Sequence, residues 1–139
     1  MKKVELLAPA GSYEKAKIAF LYGADAVYCG TASLSLRSRA EIQDDDLIQT
    51  IKYAHSIGKK VYVTLNIFAF NSDIKHLEEC MDIIKDAKPD AILVSDFGIL
   101  RLIKRYMPDV DIHISTQTNI LNYECVKFWQ DMGASRVVL

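Results

Sequence analysis

Short apolar runs alternate with amphipathic stretches along the whole chain. The runs are Val4–Leu7, Ala26–Cys29, Lys60–Asn66, Ala91–Ser95, Asp111–Ser115 and Arg136–Leu139. Each is short and largely apolar, the pattern of parallel strands covered on both faces. The stretches between them carry apolar residues at helical period. Ser12 is placed to N-cap a first helix that carries Ala16, Ala19 and Phe20 and closes at Gly23. Asp44-Asp45-Asp46 suits the positive end of a second helix dipole. The stripe Leu47, Ile48, Ile51, Ala54 and Ile57 follows and ends at Gly58. A third helix is expected from near Ser72-Asp73, with Ile74, Leu77, Met81 and Ile84 on one face. A fourth is expected from Gly98 to Tyr106, stopping before Pro108. A fifth starts near Asn122, carries Val126, Trp129 and Met132, and stops at Gly133.

This order, (βα)5β, predicts an α/β fold: an incomplete (β/α)8 TIM-type barrel with parallel strands and outer helices. Residues 1–139 read as one partial barrel domain, the N-terminal portion of a longer architecture. The final strand has no helix after it, and six strands do not close a barrel. The expectation is a truncation, or completion by another chain or by self-association through the open barrel edge. One junction recurs: Gly23-Ala24-Asp25, Lys88-Pro89-Asp90 and Gly133-Ala134-Ser135 each place a helix stop and a small or polar residue before a strand. Residues 30–43 form an unusually long polar segment after the second strand, where loops tend to carry function.

Composition narrows the picture. The 139 residues are 50% hydrophobic and 25% charged with net charge −1, which fits one globular domain and offers no broad basic footprint for nucleic acid. The N-terminal apolar stretch is too short for an export signal and holds Glu5; no stretch approaches a membrane span. Cys29, Cys80 and Cys125 are far apart and odd in number, which argues against a disulfide framework and fits a reducing, cytoplasmic setting. No phosphate-binding Gly loop, His-Glu-x-x-His or paired-Cys zinc spacing is present, so no metal ligands and no cofactor are assigned within the chain.

Chemistry in a barrel belongs at the C-terminal ends of the strands. Alternation along residues 61–66 turns Tyr62, Thr64 and Asn66 toward the axis. The same rule along residues 111–115 turns His113 and Ser115 inward, with Gln117 following. Polar residues thus gather at one rim: Tyr28, Asn66, Asp96, Ser115, Thr116 and Gln117, with Arg37 and Arg39 on the long loop above. His113, Ser115 and Asp96 are the catalytic candidates. Arg37, Arg39, Asn66, Thr116, Gln117 and Tyr28 are the substrate-binding candidates. Each has a second reading. His113 also suits a hydrogen-bonded interior position, Asp96 a helix N-cap, Asn66 a turn, and the two arginines a solvated surface. His55 and His76 read as solvated helix residues, and Cys80 and Cys125 as structural ones.

Six segments in register carry a resemblance. Glu5-Leu6-Leu7-Ala8-Pro9-Ala10-Gly11 and Gly23-Ala24-Asp25-Ala26-Val27-Tyr28-Cys29-Gly30 open it. Ser35-Leu36-Arg37-Ser38-Arg39-Ala40, Lys60-Val61-Tyr62-Val63-Thr64-Leu65-Asn66, Asp90-Ala91-Ile92-Leu93-Val94-Ser95-Asp96-Phe97-Gly98 and His113-Ile114-Ser115-Thr116-Gln117 continue it. Together they resemble the collagenase-like peptidase family, peptidase family U-thirty-two. The resemblance implies a barrel continued by further segments. For activity it implies proteolysis by an unassigned mechanism, with a peptide substrate. The alternative is hydroxylation of an RNA base, a tRNA wobble uridine or a ribosomal RNA base, as in other members. Several members of the second kind carry an iron–sulfur cluster on four downstream cysteines, so the resemblance implies such a cluster for a full-length protein; Cys29, Cys80 and Cys125 do not match those ligands. A third reading is a non-catalytic binding fragment. The sequence departs from the family at Ala40-Glu41-Ile42-Gln43, where an Asn-Phe pair is usual.

Overall fold

The computed structural model describes residues 4–31, 41–42 and 44–139. In chain order the elements are β1 (Leu7–Pro9), α1 (Tyr13–Leu21), β2 (Ala26–Thr31), β3 (Glu41–Ile42), α2 (Asp44–Ser56) and β4 (Lys60–Leu65). There follow α3 (Asn71–Ala87), β5 (Ala91–Val94), α4 (Phe97–Tyr106), β6 (Asp111–Ile114), a 3-10 turn (Thr116–Thr118), α5 (Tyr123–Asp131) and β7 (Arg136–Val137). The sheet runs β1-β2-β4-β5-β6-β7 with every pair parallel, and β3 pairs with the end of β2. Six parallel strands curl into an incomplete TIM-type barrel with helices between them.

Two layers of side chains hold it together. On the helix-facing side Val27, Val61, Val63, Leu65, Ile92, Val94, Ile112 and Ile114 are buried. They pack against Phe20, Leu47, Ile51, Leu77, Met81, Ile84, Ile99 and Ile103 in one continuous core. On the axial side Ala26, Tyr62, Ala91 and Leu93 form a separate cluster with Leu7 against it. The strands are therefore covered on both faces, and their near-continuous apolar character follows.

The helix ends follow the sequence closely. Ser12 Oγ accepts from Lys15 N–H, Asp96 Oδ1 from Ile99 N–H, and Asn122 Oδ1 from Cys125 N–H. At α3 the residue before the helix is Phe70, which has no capping group; Asp73 Oδ2 instead reaches back to Phe70 N–H at 2.7 Å. α1 closes at Gly23 and α5 at Gly133, both with positive φ. The equivalent turn after α3 is made by Lys88, at φ 59° and ψ 57°, without a glycine.

Several boundaries differ from the sequence reading. The first strand spans Leu7–Pro9 rather than Val4–Leu7, because ladder pairing with β2 begins at Leu7 opposite Ala26. Val4 and Leu6 are exposed despite their apolar character. The last strand is confined to Arg136–Val137, which pair with β6 alone. The long segment after β2 contributes a two-residue strand, β3. Arg37 and Arg39 lie outside the described residues.

Candidate functional site at the C-terminal rim

Strands β4, β5 and β6 end side by side, and their first residues past the ladder carry the polar groups. Asn66 follows β4, Ser95 follows β5 and Ser115 follows β6. All three belong to the axial set by alternation, since Thr64 pairs with Leu93 and Leu93 with His113. Asn66 Nδ2 donates to Ser115 Oγ at 3.3 Å, bridging across the β5 terminus. Ser95 Oγ donates to Gln117 Oε1 at 2.8 Å and lies 3.4 Å from the carbonyl of Asn66. Thr118 Oγ1 donates to the Ser115 carbonyl at 2.9 Å and tightens the turn. Ser95 and Ser115 are buried, Asn66 is half-buried, and Thr116 and Gln117 are exposed. The result is a hydrogen-bonded floor with an open amide above it.

The structure brings four sequence candidates to this rim: Asn66, Ser115, Thr116 and Gln117. Tyr28 stands partly exposed on β2, on the same face as Tyr62. Asp96 is engaged with the first turn of α4, as its N-cap. His113 sits one alternation step below Ser115, buried in the barrel interior. Its ring meets Tyr62 edge-on at 4.7 Å between centroids. Burial, followed by the nearby charge of Arg136, pushes the His113 imidazole down to about 4. It is therefore neutral at pH 7 and weakly basic. Burial pushes the Cys29 thiol up to about 12, which keeps it from acting as a thiolate.

A second polar group spans the interior below the rim. Tyr62 Oη donates to Glu5 Oε2 at 2.8 Å, and Arg136 Nη1 donates to Glu5 Oε1 at 2.7 Å. The Arg136 guanidinium lies 5.4 Å from the Tyr62 ring centroid. Burial opposes the Glu5 charge, but the hydrogen bonds from Arg136 and Tyr62 prevail and hold its carboxyl below the usual range. Burial and the bond to Glu5 push the Tyr62 phenol up to about 12. Sequence reasoning missed Glu5 and Arg136, whose meeting depends on strand curvature. It also passed over Ser95 in favour of Asp96, although Ala91, Leu93 and Ser95 continue the inward alternation.

No group of His, Cys, Asp or Glu among the described residues is placed to hold a metal ion. Cys29 and Cys80 are buried and Cys125 half-buried. These residues do not fit an iron–sulfur cluster. Among the described residues, no helix is long and apolar enough to cross a membrane.

Comparison with known proteins agrees with this architecture. Residues 11–139 match Peptidase family U32. The chain is 46% identical over 138 residues to the tRNA hydroxylation protein P of Haemophilus influenzae, covering 99% of this chain and 30% of that protein. It is 33% identical over 127 residues to a collagenase of Porphyromonas gingivalis, covering 90% of this chain and 30% of that protein. The chain thus spans about three-tenths of the length of these relatives. The structure of the U32 peptidase Mk0906 superposes with a TM-score of 0.77 at 11% identity, over 97% of this chain and 57% of that one.

Proposed function

The chain belongs to peptidase family U32, and we propose that within it the barrel serves RNA-base hydroxylation rather than peptide hydrolysis. The observation that carries this reading is the 46% identity to a tRNA hydroxylation protein across nearly the whole chain, against 33% to the collagenase. The rim geometry supports it. Hydrolysis by a serine needs a base within hydrogen-bond reach of its hydroxyl. Ser115 Oγ instead takes a hydrogen bond from Asn66, and His113 lies neutral against Tyr62. A rim of amide and hydroxyl groups is suited to reading the polar edge of a nucleobase.

In this reading Asn66, Ser95, Ser115 and Gln117 hold and orient the base at the barrel mouth. No cluster ligands assemble among the described residues. The substrate is RNA and the protein works in the cytoplasm. Two assays on the full-length protein test the reading. Salt-sensitive retention of tRNA, without casein or gelatin cleavage, is expected. Gelatin cleavage abolished by Ser115→Ala, with no tRNA retention, would restore the peptidase reading.

A further inference from the structure

Beside the polar floor lies an aromatic step. Phe97 opens α4, and Phe128 and Trp129 lie on α5. Trp129 is 5% exposed and stacks on Phe97 at 4.7 Å with an interplanar angle of 9°. Trp129 therefore covers one face of the Phe97 ring. Phe97 is nonetheless 54% exposed, so its opposite face is open. Phe128 stands edge-on to both rings, at 82° to Phe97 and 77° to Trp129, and walls one side of the step. Phe68, on the loop after β4, lines the same cleft and is largely exposed. Ser95 and Gln117 also line the cleft, whose volume is about 530 Å³.

Gln117 gives the cleft direction. Its Oε1 is committed to Ser95 Oγ, which leaves the two Nε2 hydrogens without a partner among the described residues. The cleft thus offers an open aromatic face and, on its lining, the Gln117 N–H donors. Its volume lies in the range of small-ligand sites.

We infer that this cleft receives one unpaired RNA base, stacked on the outer face of Phe97 and hydrogen-bonded to the Gln117 amide. The inference rests on the RNA reading above and gives that reading a binding site. A nucleobase matches both features: its faces are apolar and polarisable, and its edge carries carbonyl acceptors for N–H donors. An aliphatic side chain would fill the apolar part and leave the Gln117 donors unmatched. Glu124, which also lines the cleft, is paired with Lys127 at 2.9 Å, which lessens its repulsion of a nearby phosphate.

The test is RNA binding by the full-length protein at fixed salt, with tRNA and a single-stranded oligouridylate carrying 4-thiouridine as probes. Phe97→Leu keeps an apolar side chain over Trp129 but removes the stacking face. It should weaken oligouridylate binding by about ten-fold, while Phe97→Tyr keeps most of it. Gln117→Ala should weaken binding without altering the salt dependence, because no phosphate contact is lost. The photo-crosslink should fall on peptides containing Phe97 or Phe128. Circular dichroism reports whether each variant keeps its fold. If Phe97→Leu loses the fold, Gln117→Ala and the crosslink decide. Wild-type binding that survives both Phe97→Leu and Gln117→Ala, with the crosslink elsewhere, would overturn this site and leave the RNA reading intact. Absence of binding to either probe by the wild type would overturn both.

Discussion

Arg136 Nη1 donates to Glu5 Oε1 at 2.7 Å, joining the segment that enters β1 to the first residue of β7 across the barrel interior. These residues are 131 positions apart in sequence. No strand pairing connects them, since β1 and β7 lie at opposite ends of the sheet path. Their contact requires the sheet to curl, so the ion pair reports on curvature directly. Tyr62 supports it from the middle of the sheet by donating to the other carboxylate oxygen.

A double-mutant cycle with Glu5→Gln and Arg136→Met should therefore give a favourable coupling. Both side chains are partly exposed, at 26% and 39%, so solvent screening keeps the coupling to about 1 kcal/mol. Urea unfolding of the two single variants and the double variant measures it. Strictly additive effects would mean that the pair does not stabilise the curl.

Acid should destabilise the fold through His113. Its folded-state value is depressed from 6.5 to about 4, so between these values the unfolded chain binds a proton that the folded chain does not. Stability is then lost as pH falls from about 6.5 toward 4, by up to about 3 kcal/mol. Glu5, also lowered, adds loss in the same direction at the acid end. His113→Gln should flatten the upper part of this profile in urea midpoints measured from pH 7 to 4.

The strand-entry junctions carry measurable stability. Asp90 Oδ2 accepts from Val61 N–H at 2.8 Å and so fastens β5 to β4. Asp25 Oδ2 accepts from Leu6 N–H at 3.0 Å beside β1, and Ser135 Oγ donates to the Ile112 carbonyl at 3.2 Å in β6. Asp90→Ala leaves the Val61 amide without its acceptor and should cost about 1–2 kcal/mol. Thermal melting at pH 7 tests this.

Lys88 occupies a left-handed turn where the other junctions use glycine. Its backbone N–H bonds the Ile84 and Lys85 carbonyls, so the turn itself is well formed. Lys88→Gly relieves the steric cost of a Cβ at positive φ and should raise stability by about 0.5–1 kcal/mol. An unchanged or lowered melting temperature would show that the gain is offset by glycine's greater unfolded-state entropy.

The elements were legible because each carries its own local signal. Ser12, Asp96 and Asn122 announce helix starts, and Gly23, Gly58 and Gly133 the stops. The inward set Asn66, Ser115 and His113 was legible from alternation alone. The shift of β1 from Val4 to Leu7 was not, because an apolar residue gains strand structure only where a neighbour pairs with it. The Glu5–Arg136 pair and the Phe97–Trp129 stack were hidden for a related reason. Each depends on how distant elements pack, and neither leaves a spacing in the sequence. The recurring junction was visible as a pattern; that its polar residue ties down the neighbouring strand became visible only in three dimensions.

Base hydroxylation in RNA is the function proposed for this barrel. It is tested most directly by mass spectrometry of tRNA and ribosomal RNA nucleosides from cells with the intact gene, without it, and with the Asn66→Ala variant restored. A hydroxylated pyrimidine is expected with the intact gene, should disappear on deletion and should return only weakly with Asn66→Ala. An unchanged nucleoside profile across all three strains would contradict it.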